Sequence, residues 1–231
     1  MHGGPSRFPP ALTSALVAPV GALRIGVCEK SPAGGPAAER EQIDALHRTA
    51  DALADLGHHV ELVQPGYPNV SASFSIQVAA GVAEEADRAE HPEFLEPRTR
   101  ELAGIGHRLH RFAGWAERQG IEAGAKFNEE YFGAHDLLLT PTTPTPAVPI
   151  GQLSGAGLVS ALRKATPLAA FTSIWNVLGN PAAAVPAGFS EDGLPLSVQL
   201  VGPLGGEPRL VQVAAQLEQV QPWAQSRPEI S

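Results

Sequence analysis

The chain has 231 residues, 43% hydrophobic and 17% charged, a composition that supports a folded core and excludes a disordered polypeptide. Its 16 basic residues are scattered among 24 acidic ones for a formal charge of -8, so nucleic acid, which needs a concentrated positive stripe, is not an expected partner. The single cysteine, Cys28, excludes an internal disulfide framework and a multi-cysteine metal site, and no apolar stretch approaches the ~20 residues that span a bilayer. Met1 to Pro10 shows no charged-then-apolar signal pattern, so a cytoplasmic protein with no membrane partner is expected.

Residues 1–22 are rich in Gly, Pro and Ala and read as an irregular lead-in. Leu23, Ile25 and Val27 then alternate with Arg24 and Gly26, which suits a short strand ending at a buried Cys28. A Pro/Gly loop, Ser31 to Pro36, precedes a helical face carrying Ile43, Leu46, Ala50, Leu53 and Ala54. Gly57 stops that helix, and His59 to Val63 alternates again, so the segment reads as a βαβ unit. Residues 71–132 read as mostly helical. Their stripes are Phe74, Val78 and Val82, then Leu102, Ile105 and Leu109, then Ile121, Ala125, Asn128 and Phe132. Breaks are expected at Pro92 and Pro97 and an interruption at Gly120. His107 and His110 stand three apart among Arg100, Arg108 and Arg111, which repel a cation, so a solvated helix face is expected there rather than a metal site.

Leu137-Leu138-Leu139 is a continuous apolar run, as in a strand buried on both faces, and it leads into an extended Pro/Thr segment, Pro141 to Pro149. After a Gly-rich link come a helix around Leu168 to Leu178 and two strands, Ala182 to Val185 and Leu196 to Val201, joined by an Asp192-Gly193 turn. Pro208 opens a last helix with Leu210, Val213, Ala214, Leu217 and Val220 on one side. This order of elements argues an α/β architecture with a mixed β-sheet flanked by helices.

Several of these stretches resemble one family. Leu23 to Val27 with the following Ala-rich helix and Leu56 to Val60 is similar to the middle of amidase-signature enzymes. Phe132 to Pro146 resembles a late strand and loop of that family, and Thr172 to Ala182 its helix-to-strand element. Gly193 to Gly202 is similar to its late hairpin, and Glu207 to Glu218 to its closing helix. The resemblance implies a C-terminal portion of an amidase domain over residues 23–221, with a tail at 222–231. It also implies hydrolysis or ammonia transfer at an amide carbonyl by a serine, a bridging serine in a cis linkage and a lysine base, without a cofactor. A serine hydroxyl is a weak nucleophile until a base takes its proton, and the tetrahedral oxyanion needs preorganised N–H donors.

The family's Gly-Gly-Ser-Ser segment and its lysine precede the element that begins here at Leu23, and the N-terminal half of the fold is therefore expected to be absent. The only lysines are Lys30, Lys126 and Lys164; none is expected to replace the missing base, although Ser160 and Lys164 are four apart on a helix. Neither Gly3-Gly4, Gly34-Gly35 nor Gly205-Gly206 is followed by two serines. No catalytic or metal-binding residue is therefore assigned, and the isolated chain is expected to be inactive. Ligands of open α/β sheets sit beyond strand C-termini, so the substrate-binding candidates are Thr142 and Thr143, then Trp175 and Asn176. Packing by Trp175 and a backbone hydrogen bond from Asn176 remain open as structural alternatives, and Gln199 is read as structural. The expected partner is a small amide substrate if the missing half is supplied, with self-association or a partner chain as further expectations. A non-catalytic binding or assembly module is the alternative.

Overall fold

The computed structural model describes residues 20–224 and 226; most of the expected lead-in lies outside them. Strand β1 (Arg24–Val27), helix α1 (Arg40–Asp55) and strand β2 (His59–Leu62) form the expected βαβ unit, paired in parallel from Arg24 opposite His59 to Val27 opposite Leu62. Alternation sets the strands and a 3.6-residue apolar period sets the helix, which buries Ala45, Leu46, Ala50 and Leu53 against the sheet.

Strand β3 (Leu137–Pro141) lies parallel to β1 on its other side. Strands β4 (Ala182–Phe189) and β5 (Pro195–Val201) form an antiparallel hairpin, with β5 also antiparallel to β3. The five-stranded order is β2-β1-β3-β5-β4, a mixed sheet as the order of elements implied. At the hairpin turn Gly193 takes φ +76°, a conformation that costs glycine nothing, and Ser190 N–H donates to Leu194 O at 2.8 Å.

Strand β3 explains why three leucines run together. Leu137 and Leu139 face a core built with α1 and the last helix, α7 (Glu207–Val220). Leu138 faces a second core containing Val201, Phe127, Tyr131, Ile174 and Trp175. All three are fully buried, each removing about 1.5–3 kcal/mol worth of apolar surface from water.

Helices α2 (Ser71–Arg88), α3 (Pro97–Leu109) and α4 (Ala113–Glu130) fill residues 71–130, with the chain breaking at Pro92 and Pro97 as expected. The expected interruption at Gly120 does not occur: α4 runs through it. A Cβ on Gly120 would stand 2.7 Å from Val177 O, and one on Gly124 2.5 Å from Leu178 O, so these glycines admit a neighbouring backbone rather than end a helix. The stripe Ile121, Ala125, Asn128, Phe132 is corrected for the same reason. Ile121 is 62% exposed, while Ala116, Gly120, Gly124 and Phe127 form the buried face of α4.

The helix expected over Leu168 to Leu178 is shorter: a 3-10 turn (Thr166–Ala169) with Pro167 in its first positions, then α6 (Ser173–Leu178). A separate helix, α5 (Leu158–Ala165), precedes them. Pro167 lacks the N–H that a continuous helix would need. The extended run expected from Pro141 to Pro149 likewise ends early, bending through Thr142 to Pro146. Among the described residues no helix is long and apolar enough to cross a membrane.

Candidate functional site at the strand C-termini

The parallel strands β1, β2 and β3 all end on one side of the sheet, and the loops leaving them meet there. Cys28 N–H donates to Leu139 O at 2.9 Å, which locks the exit of β1 against β3. Glu39 N–H donates to Pro144 O at 2.7 Å, tying the lead into α1 to the Thr/Pro loop after β3. Gly35 packs against Ala170, just ahead of α6, where a Cβ would meet the Ala170 methyl at 3.0 Å.

Thr140 and Gln199 anchor this end from beneath. Both are buried; Gln199 Nε2 donates to Thr140 Oγ1 at 3.2 Å and to Phe171 O at 3.0 Å. That fastens β5 to β3 and to the chain entering α6, so Gln199 is structural, as its strand position suggested. Thr142 follows, held by its N–H to Ser197 O at 3.3 Å, with its Oγ1 buried and without a hydrogen-bond partner. Thr143 turns inward on its own loop, donating to Thr145 O at 2.8 Å.

Trp175 and Asn176 diverge although adjacent. Trp175 is 3% exposed, its indole N–H buried without a partner and its ring against Tyr67 (6.1 Å, edge-on) and Phe127 (5.7 Å). Asn176 is exposed and points away from that cluster's interior. The polar role once open for Asn176 falls to Asn180, which sequence reasoning missed. Asn180 and Asn128 exchange two amide hydrogen bonds of 3.1 Å. Asn180 also donates to Gly202 O at 2.8 Å, and Asn128 accepts from Leu204 N–H at 3.1 Å. An Asn one residue before Pro181, at a left-handed Gly179 cap, was the available signal.

A cleft of about 630 Å³ opens beyond β1 and β2, bordered by Cys28, Ser31, Gly35, Ile43, Gln64 and Tyr67. Burial, with Cys28 as a second contribution, pushes the Tyr67 phenol well above its ordinary range. Burial and the same thiol also raise Tyr131. Tyr131 OH donates to Leu137 O at 3.2 Å, while Tyr67 OH is buried without a hydrogen-bond partner.

Lys30 lines this cleft as well, whereas Lys126 and Lys164 lie away from it. Lys30 Nζ donates to Gln64 Oε1 at 3.0 Å, Lys126 pairs with Glu130 at 3.7 Å, and Lys164 donates to Gln152 O at 3.1 Å rather than to Ser160. His107 pairs with Asp87 at 3.1 Å on an exposed face. Among the described residues no three His, Cys, Asp or Glu side chains group as a metal site.

An open mixed sheet flanked by helices, with its parallel strands ending beside a Thr/Pro loop, an aromatic cluster and a cleft, defines an α/β protein. The chain belongs to the amidase family, whose profile matches residues 4–211. It is 35% identical over 213 residues to AmiB2, an amidase-family protein of Mycobacterium tuberculosis, covering 91% of this chain and 46% of that protein. It is 32% identical over 229 residues to the 6-aminohexanoate-cyclic-dimer hydrolase of Paenarthrobacter ureafaciens, covering 91% of this chain and 46% of that one. A solved structure of a 6-aminohexanoate cyclic dimer hydrolase superposes with a TM-score of 0.81 at 30% identity, over 96% of this chain and 50% of that chain. The chain thus spans about half the length of the curated relatives it matches.

Proposed function

We propose that this chain supplies the C-terminal, pocket-lining half of an enzyme that hydrolyses a carboxylic amide C–N bond, and that alone it does not catalyse the reaction. The observation that carries the reading is a set of buried, unpartnered polar groups around the ends of the parallel strands: Ser31 Oγ and Tyr67 OH on the cleft, Thr142 Oγ1 after β3, and Trp175 Nε1 on the helix packed against Tyr67. Leaving such a group unpaired costs roughly 1–3 kcal/mol, a cost that a ligand's hydrogen bonds offset. A threonine hydroxyl and an indole N–H suit an amide, whose carbonyl accepts and whose N–H donates. Thr143 continues the Thr142 loop, and Asn176 lies on the exposed side of α6.

The chemistry itself, attack by a serine hydroxyl whose proton passes to a base, is assigned to a segment outside residues 20–224. The pairing of each lysine with Gln64, Glu130 or Gln152 supports that assignment. The relative that is named for the 6-aminohexanoate cyclic dimer makes an uncharged secondary amide a sound first ligand.

Titrating the 231-residue chain with that cyclic dimer, followed by amide-resolved NMR, tests the pocket. Thr142→Val is expected to weaken binding about 5–10-fold while leaving the fold intact, the loss of one hydrogen bond. Unchanged affinity in that variant would remove Thr142 from the pocket. The second reading, a non-catalytic binding module, is favoured by the same lysine pairings. Hydrolysis on adding the missing half separates the two, since a pure binding module stays silent.

A further inference from the structure

The cleft beyond β1 and β2 carries hydrogen-bonding groups that the described residues leave unused. Ser31 Oγ and Tyr67 OH both border it, both are buried, and neither has a hydrogen-bond partner among the described residues. Gly35 leaves Ser31 its place, since a Cβ at that position would stand 2.8 Å from Ser31 Oγ. Tyr67 lies beside the Cys28 thiol, whose own proton is directed at Lys30 O at 3.4 Å. Two hydroxyls, each with a proton to donate, therefore meet one hollow.

Lys30 adds a charge to these hydroxyls. Its Nζ donates to Gln64 Oε1 at 3.0 Å, a neutral acceptor that borders the same cleft. Held by one amide oxygen, an ammonium keeps two N–H bonds for another acceptor. Among the described residues, Lys126 is the one lysine paired with a carboxylate, that of Glu130. The acid on the cleft, Glu29, is turned instead to His47 on α1, at 2.8 Å.

Ala37, Ala38, Ile43 and Pro65 make the remaining walls apolar. One ammonium and two hydroxyls above an aliphatic trough suit a carboxylate at the end of an alkyl arm, whose two oxygens accept several hydrogen bonds. A neutral group would leave the Lys30 charge unmatched, and a doubly charged phosphate would exceed it. The cleft also adjoins the amide-binding groups. Gly35 packs on Ala170 ahead of α6, Glu39 N–H reaches Pro144 O at 2.7 Å, and the Tyr67 ring meets Trp175 edge-on at 6.1 Å.

We propose that this cleft is a carboxylate-recognition subsite, with Lys30, Ser31 and Tyr67 as its donors, and that the amide this chain binds belongs to a class carrying a free carboxylate on an aliphatic arm. The amide part of this statement rests on the proposed function; the carboxylate part stands on the cleft alone. Lys30, which takes no place in the chemistry of the amide bond, becomes a specificity-determining residue.

The test compares N-acetyl-6-aminohexanoate with its methyl ester, which share one amide and one arm and differ in the carboxylate. Each is titrated into the 231-residue chain and followed by amide-resolved NMR. The acid is expected to bind about 10-fold tighter than the ester at low salt, to shift the amides of Lys30, Ser31 and Tyr67, and to lose part of that advantage as salt rises. Lys30 is exposed, so Lys30→Met keeps the fold; it closes the gap between acid and ester, whereas Lys30→Arg retains it. Ser31→Ala weakens the acid about 3–10-fold and the ester less. Equal affinities for acid and ester overturn the proposal, as do a gap that survives Lys30→Met, acid-induced shifts away from the cleft, or no binding of the acid. Hexanoate, which has no amide, separates the two readings. If hexanoate shifts the cleft amides and the ester does not bind, the carboxylate subsite stands and the amide pocket falls. If the ester binds at Thr142 as tightly as the acid, the amide pocket stands and the subsite falls.

Discussion

Asp136 ties three elements together with one carboxylate. Its oxygens accept from Arg24 N–H at 2.9 Å, Arg24 Nε at 3.4 Å and Arg209 Nη1 at 3.1 Å, joining β1, the start of β3 and α7. Burial acts to raise its pKa but is outweighed by the Arg24 backbone N–H, the Arg209 charge and the Arg24 side chain, so the carboxyl is held below its usual 3.8. A depressed folded value means the contribution is complete above the unfolded pKa and disappears as pH falls through the folded one. Asp136→Asn is therefore expected to lower stability by about 1 kcal/mol at neutral pH and to flatten the acid limb below about pH 4, measured by urea unfolding across pH. On the neighbouring strand at the same end of the sheet, Asn180→Ala strands Gly202 O and one side of the Asn128 amide. It is expected to cost about 2 kcal/mol, where Asn176→Ala on the exposed side of α6 costs nothing measurable in the same unfolding assay.

At the scale of elements, strands were readable and helix faces were not. Two-residue alternation placed β1 and β2 within a residue of their observed ends and the Leu137-Leu138-Leu139 run placed β3 within two, because side-chain direction in a strand is fixed by position alone. In the helical layer the large hydrophobics Phe74, Val78, Leu102 and Ile105 suggested the packing face. The residues most deeply buried are Ser73, Ala79, Ala80 and Ala83 on α2, and Ala103 and Gly106 on α3. These helices approach until only small residues fit, and hydrophobic periodicity gives small residues little weight. The candidate site was half readable for a related reason. The strand-terminal loop announces Thr142, whereas the Asn128–Asn180 pair joins residues 52 apart in sequence and no local pattern reveals it.

The same close approach gives a paired prediction. A Cβ on Gly106 would fall 1.9 Å from Ala79 O, a backbone atom that cannot rotate away, so Gly106→Ala should destabilise by about 2 kcal/mol or more. Gly104, two residues earlier on α3, meets nothing within 4 Å, so Gly104→Ala should stabilise by about 0.5–1 kcal/mol through helix propensity. Thermal unfolding of the two variants should move in opposite directions. If they shift together, the α2–α3 contact is not as close as described.

For the whole molecule, two well-filled cores on a five-stranded sheet coexist with apolar side chains at the surface. Among the described residues Ile150, Val159 and Phe94 are largely exposed, at 106%, 78% and 80%. Surface of this kind promotes association, so the isolated chain is expected to self-associate with rising concentration unless its complement is present, as sedimentation velocity would record. The central claim is that these residues shape an amide pocket and do not perform the chemistry. The most direct measurement is product release from the 6-aminohexanoate cyclic dimer by the purified 231-residue chain alone. The account predicts a rate equal to the buffer blank, and sustained turnover by the chain by itself would contradict it.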